Sequence, residues 1–240
     1  MADPKAPKKP STPKSGLVSA YLLFYNALSF ILWATVTIRA FSRLAQPTRN
    51  VPAIFDAVFP LLLRTQSFAL MEILHSLAGL VRASVVTTVM QVASRILVVW
   101  GVLYLFAGQG LFGTTGGAGA GAGGEVKVGD WAFVGCVSAW GITECIRYGF
   151  FALQVMGAGV PGWMSWLRYN TFFVLYPIGI SSECTLIYQA IAPAKDVHPA
   201  LPWFFIAVLV IYVPGSYILY THMMSQRRKV MRAAKAKRAD

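Results

Sequence analysis

Six long apolar stretches, separated by short polar or glycine-rich segments, dominate the pattern of this chain. No charged residue occurs from Ser15 to Ile38, a run longer than the roughly 20 helical residues that cross a hydrocarbon core of about 30 Å. Further runs cover about 52 to 81, 84 to 108, 131 to 156, 166 to 192 and 201 to 221. The pattern predicts an all-α integral membrane protein, a bundle of six transmembrane helices. The first run is too long for a signal-peptide core and is read as a span.

Polar residues interrupt these runs selectively. Runs one and six are free of charge and are predicted to be lipid-facing walls. Run two holds Asp56, Arg64, Glu72 and His75, and run three holds Gln91 and Arg95. Run four holds Glu144 and Arg147, and run five holds Arg168 and Glu183. A charge near a bilayer centre costs at least ~2.5–3.5 kcal/mol, so such groups face the protein interior or a wet cavity. Their spacings place them on shared helix faces: Glu72 with His75 and Glu144 with Arg147 at i, i+3, Gln91 with Arg95 and Glu144 with Tyr148 at i, i+4. Any one pair reads equally well as interhelical glue, a Glu72–Arg95 contact included. Four runs contributing together predict a polar cavity at membrane depth, either a transport path or an active site.

Run five is the most specific. Its Tyr176 and Glu183 stand at i, i+7, about 20° apart in azimuth and about 10.5 Å apart along an ideal helix. Pro177 crowds the carbonyl of Phe173 and predicts a kink beside Tyr176. Gly179 leaves room for a ligand or a neighbouring helix. Glu183 has no basic residue three or four positions away in its own helix.

Composition sharpens this picture. Of 240 residues, 56% are hydrophobic and 12% charged, with a net charge of +12; ordinary soluble domains are about 25% charged. Lys5, Lys8, Lys9 and Lys14 precede the first run, and Arg227, Arg228, Lys229, Arg232, Lys235, Lys237 and Arg238 follow the last. The positive charge is thus largely two tails, which six spans place on one side, the cytosolic side by the positive-inside rule. The predicted organisation is a basic, Pro-rich cytosolic tail over 1–14, a membrane domain over 15–224 with a Gly-rich lumenal loop at 108–130, and a basic cytosolic tail over 225–240. The chain has no basic folded face for nucleic acid. Cys136, Cys145 and Cys184 lack metal-ligand spacing and begin no C-x5-R phosphatase loop. The G-x-G-x-x-G strings at Gly108 and Gly157 lie outside any strand–turn–helix unit, so no dinucleotide site is predicted.

The string Leu167-Arg168-Tyr169-Asn170, Leu175-Tyr176-Pro177, Gly179 and Ser182-Glu183 resembles the very-long-chain (3R)-3-hydroxyacyl-CoA dehydratases of the endoplasmic reticulum, also called protein tyrosine phosphatase-like proteins. So do Trp140, Thr143, Glu144, Arg147 and Tyr148 in run four. Tyr21, Tyr25 and Asn26 in run one, Gln66, Glu72, His75 and Gly79 in run two, and Gln91, Ser94 and Arg95 in run three fit as well. The resemblance covers roughly residues 17 to 222. It implies a multi-pass enzyme of the endoplasmic reticulum membrane that dehydrates 3-hydroxyacyl-CoA to trans-2-enoyl-CoA, the third step of fatty-acid elongation. The family's catalytic pair falls on Tyr176 and Glu183. Supporting polar or substrate-binding positions fall on Glu72, Gln91, Arg95, Glu144, Arg147 and Arg168. The implied partners are the substrate, the bilayer and the other elongation-cycle enzymes: condensing enzyme, ketoacyl-CoA reductase and enoyl-CoA reductase.

β-Elimination of water from a thioester needs a base for the α-proton and an acid for the departing hydroxide, and no metal or organic cofactor. A carboxylate and a phenol supply these. Glu183 as base and Tyr176 as acid is the expected assignment; the reverse stays open if Arg168 or Arg147 favours the phenolate. The CoA head is expected on the cytosolic side, near Arg82, Arg168 and the tail bases. Two other readings remain at this point: a small transporter or channel using the same cavity, and an inactive scaffold of the elongation enzymes.

Overall fold

The structure, a computed structural model, describes residues 16–47, 50–81, 83–113 and 125–239, with side chains as far as Arg232. The Pro-rich tail at 1–14, Arg82 and the middle of the Gly-rich loop lie outside the described residues. Every regular element among the described residues is helical: α1 Gly16–Leu44, α2 Val51–Phe68, α3 Leu70–Leu77, α4 Val85–Ile96, which continues as a π-helical segment Leu97–Tyr104, then α5 Val128–Met156, α6 Gly162–Asn170, α7 Phe172–Val197 and α8 Leu201–Ala239.

Four of these stretches are long and apolar enough to cross a membrane: Gly16–Leu44, Val51–Leu77, Val85–Tyr104 and Leu201–Arg232. The pair Gly162–Asn170 and Phe172–Val197 makes a fifth if its 41° bend lies within one span. The 29-residue α5, which carries Asp130, Glu144 and Arg147, is long enough but less apolar. Its polarity follows from its place in the bundle. It packs most extensively against α1 and α7, and its Asp130 and Glu144 are buried.

Glycines let these neighbours approach. A Cβ on Gly141 would lie 2.1 Å from Thr37 Oγ1 of α1, and one on Gly135 would lie 2.5 Å from Ser182 Oγ of α7. Small residues at helix crossings do this in membranes, where close van der Waals contact replaces the hydrophobic drive. The core around the crossings is apolar and aromatic, with Trp33, Phe55, Phe59, Phe133, Leu186 and Ile187 among its buried members.

Local chemistry sets the ends. The Asn50 side chain accepts from the Ala53 N–H at 3.2 Å and caps α2, which has a proline in its first turn. Gly157, at φ +72°, closes α5 in the left-handed conformation. Both ends of the Gly-rich segment are pinned to buried Asp130, whose oxygens accept from the Gly113 N–H at 2.8 Å and the Lys127 N–H at 2.9 Å.

Three expectations need correction. The kink predicted at Pro177 is displaced: α7 runs continuously through that proline, and the 41° bend falls at Thr171. There the Asn170 and Thr171 side chains donate to the carbonyls of Trp166 and Leu167, at 2.7 and 2.8 Å. Side-chain competition of this kind bends helices, and Phe173, whose carbonyl Pro177 cannot pair, lies just beyond. Run two is likewise two helices, broken at Ala69. Finally, the two charge-free runs, which lie within α1 and α8, are more than walls. Tyr25 and Asn26 of α1 are buried, and Tyr212 of α8 hydrogen-bonds a carboxylate of α7.

Candidate functional site

A cavity of about 370 Å³ opens among α2, α3, α4, α5, α7 and α8. Seven of the eight residues singled out in the sequence line it: Glu72, Gln91, Arg95, Glu144, Arg147, Tyr176 and Glu183. The eighth, Arg168, is not on its wall. Its guanidinium lies in α6, 4.5 Å from the ring centres of both Phe150 and Phe151, near the bend that leads into α7.

On one side the wall is a continuous ionic chain. Glu144, 2% exposed, bonds Arg95 of α4 and Arg147 one turn on, the latter at 2.5 Å to Nη2 and 2.7 Å to Nε. Arg147 also forks onto Glu72 of α3, at 2.9 Å from Nη1 and 2.6 Å from Nη2. The Tyr148 hydroxyl donates to Glu72 as well. Two carboxylates and two guanidiniums thus alternate across α4, α5 and α3, so each charge is partnered. The Glu144–Arg147 pair appears as the spacing predicts. The expected Glu72–Arg95 contact is replaced by Glu72–Arg147 and Arg95–Glu144: α3 and α4 pack on each other, and each sends its charged side chain to a different residue of α5.

The opposite side is less charged. Glu183 of α7, 6% exposed, accepts from Trp140 Nε1 and from the Tyr212 hydroxyl, both at 2.8 Å. Tyr176, two turns earlier on α7, donates its hydroxyl to the Ser216 backbone carbonyl at 3.0 Å. In this arrangement Glu183 is an acceptor at both oxygens and Tyr176 a protonated donor. Apolar side chains fill in the lining, Leu175 and Ile180 from α7 and Ile211 and Leu219 from α8. Residues of α4 and α8 both line the cavity, and the two helices do not pack against each other among the described residues.

Sequence reasoning missed Tyr212. Tyr212 is one of three tyrosines in the apolar run of α8, with Tyr217 and Tyr220, and gives no signal of its own; only the Glu183 it faces marks it. Trp140 was among the residues of the resemblance, without a role. A further cluster also joins α1 to α3: Tyr21 hydrogen-bonds His75 Nε2 at 2.7 Å, and the Tyr25 ring meets His75 edge-on at 4.6 Å.

A helical, membrane-type bundle enclosing a cavity lined by paired charges, a carboxylate and a phenol defines a class of intramembrane polar site. The chain belongs to the protein tyrosine phosphatase-like protein family, PTPLA, whose family model matches residues 66–233. It is 38% identical over 218 residues to a "Probable very-long-chain (3R)-3-hydroxyacyl-CoA dehydratase" of Schizosaccharomyces pombe, covering 91% of this chain and 96% of the relative. It is 35% identical over 228 residues to the "Very-long-chain (3R)-3-hydroxyacyl-CoA dehydratase PASTICCINO 2" of Arabidopsis thaliana, covering 90% and 94%. It is 31% identical over 228 residues to "Very-long-chain (3R)-3-hydroxyacyl-CoA dehydratase 2" of Homo sapiens, covering 90% and 82%. No solved structure matches the chain significantly.

Proposed function

We propose that the protein is a very-long-chain (3R)-3-hydroxyacyl-CoA dehydratase, a hydro-lyase of fatty-acid elongation, with Glu183 as base and Tyr176 as acid. The observation that carries this reading is the pairing of the two on one cavity wall in opposite hydrogen-bonding roles. Glu183 accepts at both oxygens, from an indole that can only donate and from a phenol. Tyr176 donates to a carbonyl. These are the resting states that the reaction needs.

The step balances as follows. The Glu183 carboxylate takes a proton from C2 of the acyl chain, and the C–H electron pair becomes the C2–C3 double bond. The C3–O bond breaks, and Tyr176 protonates the departing hydroxide, releasing water. Return of the proton from Glu183 to the Tyr176 oxygen restores both groups. Each such transfer contributes typically 10²–10⁴ in rate. Gln91 and Arg95 offer donors along the same cavity. The Glu72–Arg147–Glu144–Arg95 chain holds α3, α4 and α5 in register around it, and in this reading Arg168, off the cavity wall beside the bend, meets the CoA phosphates.

With α5 and the bent α6–α7 pair counted as spans, the bundle has six, which puts both basic tails on the cytosolic side of the endoplasmic reticulum membrane. In this reading the CoA head stays at the cytosolic face, and the condensing enzyme and the two reductases of the cycle are neighbours.

The test is direct. The full chain purified in detergent is given a (3R)-3-hydroxyacyl-CoA, and formation of the 2-enoyl thioester is followed. Turnover is expected, with Tyr176→Phe and Glu183→Gln each losing at least about 10²-fold while keeping the thermal midpoint of the parent. Near-normal turnover by either variant would remove that residue from the mechanism, and no turnover by the parent would remove the assignment.

A further inference from the structure

The Glu183 carboxylate has a different partner on each oxygen. Trp140 Nε1 of α5 donates to Oε1 and the Tyr212 hydroxyl of α8 to Oε2, each at 2.8 Å. The two partners are not equivalent. An indole N–H only donates, so Oε1 is committed as an acceptor whatever the charge of the group. A phenol hydroxyl donates to a carboxylate and accepts from a carboxylic acid, so the partner of Oε2 remains satisfied on either side of a proton transfer. Glu183 is only 6% exposed, and a buried oxygen left unpaired is costly.

The location of Tyr212 adds a second point. One turn further along α8, the Ser216 carbonyl accepts from the Tyr176 hydroxyl at 3.0 Å. Adjacent turns of α8 therefore hold both functional groups of α7. Gly215, between them, lines the cavity, and a Cβ there would meet nothing within 4 Å. The α8 backbone thus comes to the cavity without a side chain in the way.

We propose that Tyr212 is the positioning residue for Glu183, holding the carboxylate in one orientation for the α-proton and accepting a hydrogen bond from it once protonated. This rests on the reading of Glu183 as base. Tyr212 gains and loses no proton over the cycle: the proton from C2 goes to Glu183, and the hydroxide leaves with the proton of Tyr176.

The experiment uses the full chain in detergent, with 3-hydroxyacyl-CoA carrying either hydrogen or deuterium at C2. In Tyr212→Phe, kcat is expected to fall about ten- to hundredfold, the loss of one hydrogen bond to a charged group. KM should stay within about threefold, and the isotope effect on kcat should rise as C–H cleavage becomes rate-limiting. A residue that served only to pack α8 would not change the isotope effect. A second variant, with 3,5-difluorotyrosine at position 212, keeps the shape and alters only the hydroxyl; its kcat should depart from that of the parent. Unchanged kcat and isotope effect in a folded Tyr212→Phe, or a kcat indifferent to fluorination, overturns the proposal. If Glu183→Gln is inactive in the same series, the assignment of Glu183 stands without it; if Glu183→Gln turns over normally, both fall.

Discussion

Glu144 shows what a single buried charge does in this bundle. It lies between Arg95 and Arg147 at 2% exposure, so its charge matters more than its volume. Glu144→Gln keeps the shape, removes the ion-pair partner of Arg95 and leaves Arg147 with Glu72 alone. Breaking a buried pair from one side costs about 3–5 kcal/mol, so the variant should show a clearly lowered thermal midpoint in detergent. Arg147→Lys should be milder yet still destabilising, because a lysine point charge cannot reproduce the fork onto Glu72 and the Nε contact to Glu144 together. Thermal unfolding of both variants beside the parent checks the order. These residues were legible in the sequence because charge at hydrocarbon depth has few uses. Their pairing was not, since spacing along one helix says which residues share a face and nothing about which helix lies opposite. Tyr212 and Trp140 were illegible as partners for a related reason: aromatic residues with one polar tip are ordinary in membrane helices.

Among the elements, α5 carries the most consequence. Its closeness to α1 rests on Gly141, where an added Cβ would stand 2.1 Å from Thr37 Oγ1 and 3.2 Å from Thr37 Cβ. Thr37 has little freedom to yield, because its hydroxyl is bonded to the Trp33 carbonyl at 2.7 Å and its side chain is β-branched. Gly141→Ala should therefore cost about 1–3 kcal/mol through overpacking. Gly149→Ala, on the same helix, meets first the mobile end of Met164 at 3.1 Å and should cost clearly less. Comparing the two thermal midpoints separates a rigid crossing from a yielding one. The helices themselves were readable from hydrophobic runs. The bend at Thr171 was less so, because Pro177 is the louder signal, whereas the bend follows the short polar side chains of Asn170 and Thr171 that compete for backbone carbonyls. The break at Ala69 has no proline or glycine to announce it.

For the molecule as a whole, the six-span reading makes a prediction about sidedness. A glycosylation acceptor placed within the Gly-rich segment between α4 and α5 should be modified in endoplasmic reticulum membranes, whereas one appended after Asp240 should not. Modification of the C-terminal acceptor would overturn the cytosolic placing of that tail. The global arrangement also explains why low charge and high net charge coexist: the tails carry much of the positive charge, while the interior chain of two glutamates and two arginines is neutral.

The cavity is open rather than enclosed on every side, and among the described residues α4 and α8 both border it without packing on each other. A closed pocket measures its ligand, since a chain one methylene too long must be excluded or folded back. An open mouth imposes no such ruler, for a tail that overruns 370 Å³ continues beyond the rim. Turnover measured across a series of substrates should accordingly fade gradually with increasing tail length rather than stop at one.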